Sequence, residues 1–323
     1  MALTINHETN EITNATGIVT VNGTAVGNDN TPIVWYGSRG LFSGGTASPS
    51  ESIEYITIAT TGNGTDFGDL LSTTSKHAGC SNGARGIFGG GGSAINVIQY
   101  VTISTTGNST DFGDLILARQ FLAACSDGLR GVFGGGTTSW NAARTEIDYI
   151  TIATTGNATD FGDLSAIRLH LVACADSTRG VFAAGMVTST GTHVDIIEYI
   201  TIQTAGNATD FGNLTLSRTL PHQGCSSETR GIFGGGYNPT NGIVNIIEYI
   251  TIATTGNATD FGDLTATNYG GASCSDNSRA VFGGGAVSPG TQMEYITIAT
   301  TGNATDFGDL AVGGYFNASC SGN

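Results

Sequence analysis

The hexapeptide Thr-Asp-Phe-Gly-Asp-Leu occurs six times, once in the form Thr-Asp-Phe-Gly-Asn-Leu, with Asp66, Asp111, Asp160, Asp210, Asp260 and Asp306 as its first acids. Successive copies lie 45, 49, 50, 50 and 46 residues apart. A repeat of this period is one supersecondary unit that cannot bury its apolar face alone, so neighbouring units must stack on one another. The whole length therefore merges into one repeated body with a short extension.

Each unit reads as four short strands. The first runs into a cysteine (Phe121-Leu-Ala-Ala-Cys125), and a polar turn leads to Arg130-Gly-Val-Phe133 and a glycine cluster. The third, Ile147-Asp-Tyr-Ile-Thr-Ile152, alternates apolar and polar residues and is rich in β-branched and aromatic types. The turn Thr154-Thr-Gly-Asn-Ala leads to the fourth at Asp160-Phe-Gly-Asp-Leu164, and nothing in the chain has the period of a long amphipathic helix. Fifty glycines against five prolines suit many tight turns.

The two ends of the repeat complement each other. Arg-Gly-aliphatic-Phe begins at Arg39, Arg85, Arg130, Arg179 and Arg230, with Arg-Ala-Val-Phe at Arg279. The first copy has no cysteine strand before it, and Cys320 has no arginine strand after it. Pairing these fragments completes a sixth blade and leaves no exposed sheet edge. The expected fold is all-β: a six-bladed β-propeller of four-stranded blades over residues 38–323. Its ring is closed by pairing the C-terminal strand with N-terminal strands, and a short β-rich arm precedes it over residues 1–37.

Charge narrows the partners. Twenty-six acids against eleven bases give a formal charge of −15, and Lys76 is the only lysine. Such a surface repels nucleic-acid phosphates and anionic headgroups, so neither is an expected partner. No apolar run reaches membrane-spanning length, and the start Met-Ala-Leu-Thr-Ile-Asn-His-Glu lacks the features of a signal peptide.

Cys80, Cys125, Cys174, Cys225, Cys274 and Cys320 fall once per unit. Equivalent places in different blades pair awkwardly, so they read as small buried apolar residues rather than disulfides. No histidine repeats beside them to suggest a metal. The repeated acids read as turn caps that accept backbone N–H groups, which Asn213 in the fourth copy also suits. The alternative is a calcium site built from the repeated Asn, Thr and Asp oxygens. The acids could also pair with the repeated arginines. No metal or other cofactor is expected, and no spacing marks a catalytic set, so no catalytic residue is assigned.

In a four-stranded blade the first-to-second and third-to-fourth turns share one face, and here they are nearly identical in every unit. The other two connections share the opposite face and vary freely. Loops carried on a rigid scaffold are where binding residues concentrate. Arg119, Phe121, Trp140, Arg144, His170, His193, His222, Tyr237, Tyr269 and Tyr315 fall on this variable face and are the expected ligand or partner contacts.

The N-terminal arm carries strand-like segments at Leu3-Thr-Ile5 and Gly17-Ile-Val-Thr-Val21, with Asn22-Gly23 as a hairpin turn. Leu3, Ile5, Ile12, Ile18 and Val21 are its attachment residues. So short a segment cannot bury a core alone. It is expected to lie against the propeller, other copies or another protein.

The pattern of Ile87-Phe-Gly-Gly90 and Ile232-Phe-Gly-Gly235, with the Glu-Tyr of Ile197-Glu-Tyr-Ile200, resembles kelch-type propeller repeats. The family's later tryptophan is replaced by Phe67, Phe112, Phe161, Phe211, Phe261 and Phe307. The phrase Tyr-Ile-Thr-Ile-Ala-Thr-Thr-Gly-Asn-Ala-Thr-Asp-Phe-Gly-Asp-Leu, and the opening Leu-Thr-Ile-Asn-His-Glu-Thr-Asn, are similar to segments of structural and appendage proteins of tailed, often marine, bacteriophages. That resemblance implies a non-enzymatic structural or adhesive virion protein, a tail fibre, appendage or capsid decoration made in the host cytoplasm. It further implies a homo-oligomer bound to other virion proteins by its arm, with the variable face towards host-surface glycan or protein. The alternatives are an intracellular kelch-like interaction module and a glycan-binding or glycan-processing propeller.

Overall fold

The structure, a computed structural model, describes residues 37–46, 50–139, 142–188, 190–219, 224–287 and 289–323, and four short strands nearer the N-terminus. The chain divides into two compact units, residues 1–33 and 34–323. In the first, Thr4–Asn6 pairs antiparallel with Glu11–Thr13, and Val19–Val21 with Thr24–Val26. Ile5 and Ile12 are cross-strand partners, and Val21 pairs with Thr24 across the expected two-residue connection. Leu3 and Ile18 lie outside the described residues.

The second unit is a six-bladed β-propeller of four-stranded antiparallel sheets. No helix occurs among the described residues. The third blade is representative: Ala123–Ser126 lies innermost, followed outward by Arg130–Gly134, Arg144–Thr151 and Thr159–Arg168. The first blade takes its innermost strand, Ala318–Gly322, from the far end of the repeat. It pairs with Arg39–Ser43 from Ala318 opposite Ser43 to Gly322 opposite Arg39, as the complementary fragments required.

The core is divided among the six interfaces between blades. Ile147 and Tyr149 pack with Phe182, Ile200 and Ile202 of the fourth blade. Ile150 and Ile152 pack with Phe112 and Leu115 of the second. The third strand is covered on both faces, which is why its alternation is incomplete: both sets of side chains enter a core. The cysteines serve the same interfaces. A Cβ on Gly131 would lie 2.8 Å from Cys80 Sγ, and one on Gly231 only 2.5 Å from Cys174 Sγ. Five of the six thiols thus fill the space that a glycine leaves in the next blade, and Cys225 packs with Ala280 instead. All six are buried and unpaired.

The repeated hexapeptide forms the outer strand, with a bulge. Ile147 faces Gly162 and Asp148 faces Asp160, leaving Phe161 as the extra residue. Gly162 has φ 145°, and an added Cβ would lie 2.5 Å from Gly206 O of the following blade. That approach lets the next blade's Ala205-Gly206-Asn207 turn extend the strand. Gly206 N–H donates to Phe161 O (2.7 Å), Ala208 N–H to Asp163 O (2.8 Å), and Asn207 Oδ1 accepts from Asp163 N–H (3.1 Å). The ring closes the same way, with Gly62 N–H to Phe307 O and Asn63 Oδ1 accepting from Asp309 N–H.

Two expectations about the acids are corrected here. The first acids of the six copies are exposed on the outer strand and do not cap turns. Capping belongs to the inner turn instead, where Asp127 Oδ1 accepts from Leu129 and Arg130 N–H, and Asp176 and Asp276 do the same in their blades. The repeated arginines do not pair with those acids either. Each guanidinium lies 4.1–4.7 Å from the ring centroid of its own blade's tyrosine. Each also donates to an isoleucine carbonyl of the next blade, from Arg39 to Ile103 O (2.8 Å) round to Arg279 to Ile58 O (3.0 Å). The face of an aromatic ring attracts a desolvated cation by about 0.5–2 kcal/mol. The result is a belt of six such stitches.

Candidate functional site

The innermost strands surround a central channel with unlike ends. At the uniform face, serine hydroxyls stitch strand to strand: Ser81 Oγ donates to Ser321 O (2.6 Å), Ser126 to Ser81 O (2.6 Å), and Ser275 to Ser226 O (2.7 Å). Small residues such as Gly79, Ala124 and Gly224 line a cavity of about 100 Å³ there.

At the variable face the chain crosses from each outer strand into the next blade's inner strand. Ten residues after each motif's first acid it turns through the left-handed region: Lys76 (φ 63°), Phe121 (57°), His170 (60°), Gly270 (70°) and Phe316 (62°). The sixth equivalent, Leu220, lies outside the described residues. These residues hold one another in a backbone arc. Lys76 N–H donates to Phe316 O (2.8 Å), Phe121 N–H to Lys76 O (2.8 Å), His170 N–H to Phe121 O (3.1 Å) and Phe316 N–H to Gly270 O (2.5 Å). Left-handed backbone costs a side-chain-bearing residue about 1–2 kcal/mol. Four such residues are held there by the hydrogen-bonded arc, and their side chains are gathered at the axis.

Those side chains close the mouth. The Phe121 ring lies edge-on to His170 (4.0 Å between centroids) and to Phe316 (5.1 Å), and Lys76 Nζ stands 5.1 Å from the Phe121 centroid. Tyr315 packs on Phe316 at 4.4 Å and on Tyr269 at 6.4 Å, extending the aromatic surface outward. Beneath them is a cavity of about 50 Å³ lined by Lys76, His77, Phe121, His170 and Phe316 among others. Burial, with smaller contributions from His193 and Lys76, pushes the His170 imidazole down to about 3. Burial alone does the same to His77. Both rings are therefore neutral near pH 7.

Of the residues expected at this face, Phe121, His170, Tyr269 and Tyr315 come together at the mouth. His193 and Tyr237 form a separate pair at 5.7 Å, with His193 Nδ1 3.3 Å from Thr219 Oγ1. Trp140 and His222 lie outside the described residues. Arg144 is half-exposed and paired with Glu146 at 2.6 Å. Arg119 is corrected: it is fully buried, donating to Gly135 O, Glu146 O and Asp148 Oδ2, and cannot present itself to a partner.

Arg119 belongs to a partial series. Arg168 and Arg218 occupy the same register and pair with buried Glu198 and Glu248. In the second blade the acid is replaced by Gln99, with Thr74 at the arginine position. Glu54 of the first blade faces Gly314 in that register, so it lacks a guanidinium and accepts instead from Ala311 and Val312 N–H (2.6 and 2.7 Å). Burial raises the Glu54 carboxyl above its ordinary value, helped slightly by Asp66 and opposed by those two N–H groups.

Sequence reasoning missed Lys76, Gly270 and Phe316 as partners of Phe121 and His170. The constant offset of ten residues from each motif is the signal that joins them. Comparison with protein-family models and with curated proteins gives no match for this chain.

Proposed function

We propose that this chain is a non-enzymatic binding module that docks a partner on the variable face, around the aromatic mouth. A β-propeller fits a protein-interaction module, since a rigid ring presents loops that can diverge without disturbing the frame. The observation that carries the reading is the contrast at the axis. One backbone geometry is repeated around the mouth, yet it presents Lys, Phe, His, Gly and Phe there, unlike a self-supporting repeat. The chemistry of the buried groups is consistent with a non-catalytic role: His77 and His170 stay neutral, and burial pushes the Cys225 thiol up to about 12, so neither histidine nor thiol is poised for acid–base or nucleophilic work.

On the sequence resemblance we take the module to be kelch-like and to serve on a bacteriophage particle, as a tail fibre, appendage or capsid decoration. In that setting the first unit attaches to other virion proteins, with the chain as a homo-oligomer, and the propeller contacts host-surface glycan or protein. Mass spectrometry of purified particles tests the location, and finding no copies of the chain overturns it. Binding of the purified chain to host envelopes tests the face. Tyr269→Ala and Tyr237→Ala should each weaken it by about tenfold, the scale of an aromatic hot spot, while Thr154→Ala on the uniform face should not. Equal effects from both faces would refute the assignment.

A further inference from the structure

The positive charge of this chain is almost entirely committed. Six of the ten arginines lie over tyrosines, three are buried against Asp148, Glu198 and Glu248, and Arg144 pairs with Glu146. The eleventh base, Lys76, stands at the channel mouth, with the Phe121 ring as its neighbour. In a chain of net charge −15, a cation placed there attracts an anion to the axis.

Two nitrogens in the wall of the same cavity, His170 Nε2 and His77 Nδ1, are buried without a hydrogen-bond partner among the described residues. His77 Nε2 lies 2.9 Å from Ser43 Oγ, whose own hydrogen goes to Ala318 O (3.4 Å), so the His77 ring hydrogen sits on Nε2 and its Nδ1 is an acceptor. A buried polar nitrogen left unsatisfied is costly, and in the tautomer that carries its hydrogen on Nε2, His170 points to a missing acceptor. The backbone arc that holds His170 and Lys76 keeps them in left-handed backbone, the kind of outlier that gathers at ligand sites.

We propose that the axial mouth binds a single carboxylate group. Its oxygens face Lys76 Nζ and accept from His170 Nε2–H, and Phe121 and Phe316 enclose the carbon that carries it. The inference rests on partner docking at the variable face and names the chemical group that enters there. The cavity, at about 50 Å³, has room for a group of that size. One ammonium balances one negative charge, whereas a doubly charged phosphate would be left undercompensated between apolar walls.

Because Lys76 is the only lysine, lysine-selective 15N labelling gives a single side-chain ammonium resonance to follow. Titration of the full chain with acetate should shift it saturably, with a dissociation constant in the millimolar range expected of so few atoms. Acetamide, and sodium chloride at equal ionic strength, should not. His170→Gly keeps a residue suited to left-handed backbone and removes the donor; it should weaken acetate by about tenfold. A shift shared by acetate and acetamide, a shift shared by acetate and chloride, or an H170G variant that binds acetate unchanged would overturn the proposal. The wild-type comparison stands even where that variant does not fold. Glucuronate and an N-acetylated, C-amidated aspartate then identify the carrier: tighter binding of one assigns the group to an acidic sugar or an acidic peptide, and of neither, to a free small acid. If Lys76 ignores acetate while Tyr269→Ala still weakens envelope binding, the carboxylate site falls and the docking face remains.

Discussion

The two ends of the channel are built from the same strands and differ in what their side chains owe to neighbours. At the uniform end the serine hydroxyls, the asparagines of the Thr-Gly-Asn turns and the arginine belt each bond to an adjoining blade. A change there breaks an interface; the asparagine and the arginine recur in every unit, and the serine in all but the fourth blade, where Ala175 stands in its place. At the variable end the neighbouring blades are joined by backbone N–H and C=O groups, which any residue supplies. Side chains at that end are released from the frame, and five different repeats place four residue types around one axis. Repetition fixes geometry at both ends; only where the backbone carries the bonding does it leave chemistry free to diverge.

That contrast predicts stability effects for the frame and binding effects for the mouth. The largest should come from Arg168→Ala, which leaves Glu198 buried without its cation and should cost about 3–5 kcal/mol in chemical denaturation. Arg144→Ala, at a half-exposed pair, should cost under about 1 kcal/mol. Similar losses from the two would break the division between committed and exposed arginines. Next comes Gly162→Ala, whose methyl would meet Gly206 O at 2.5 Å in backbone that disfavours side chains; about 1–3 kcal/mol is expected. Gly206→Ala, with open space around it, should stay within about 0.5 kcal/mol.

The smallest effect concerns pH. The Glu54 carboxyl is raised on folding, so the folded state takes up a proton more readily than the unfolded one. Its stabilising contribution is fully present below the ordinary value of 4.5 and is lost as pH rises through the raised folded value. Relative to Glu54→Gln, the wild-type protein should therefore gain thermal stability as pH falls from neutrality towards 4.5. A difference independent of pH would show that Glu54 is not desolvated as its burial implies.

Much of this architecture is legible in the sequence because it is periodic. Six hexapeptides, six cysteines and the split first blade suffice for the number of blades and the closure of the ring. The roles of the repeated acids and arginines were not legible, because they depend on which neighbour lies across an interface. Asp160 and Asp127 are both acids near turns, yet one is on the exposed outer strand and the other caps a turn. Arg119 shows the same limit. Its position beside a variable loop suggested display, whereas a residue whose side chain reaches inward to Asp148 is set by the pleat, which the loop's variability does not reveal. Four of the mouth residues were found because loops diverge; Lys76 and Phe316 were missed because axial convergence brings together residues from every repeat.

The seam in the first blade also sets an order of events during synthesis. The strand Arg39–Ser43 emerges from the ribosome early, and its inner partner Ala318–Gly322 only after the other five blades. Until then the nascent propeller is an open arc with one unsatisfied inner edge. Joining ends so far apart carries a loop-closure entropy cost on the order of 5 kcal/mol, which growth of the stacked arc lessens by holding the ends near each other. Vectorial synthesis therefore makes the final strand a latch.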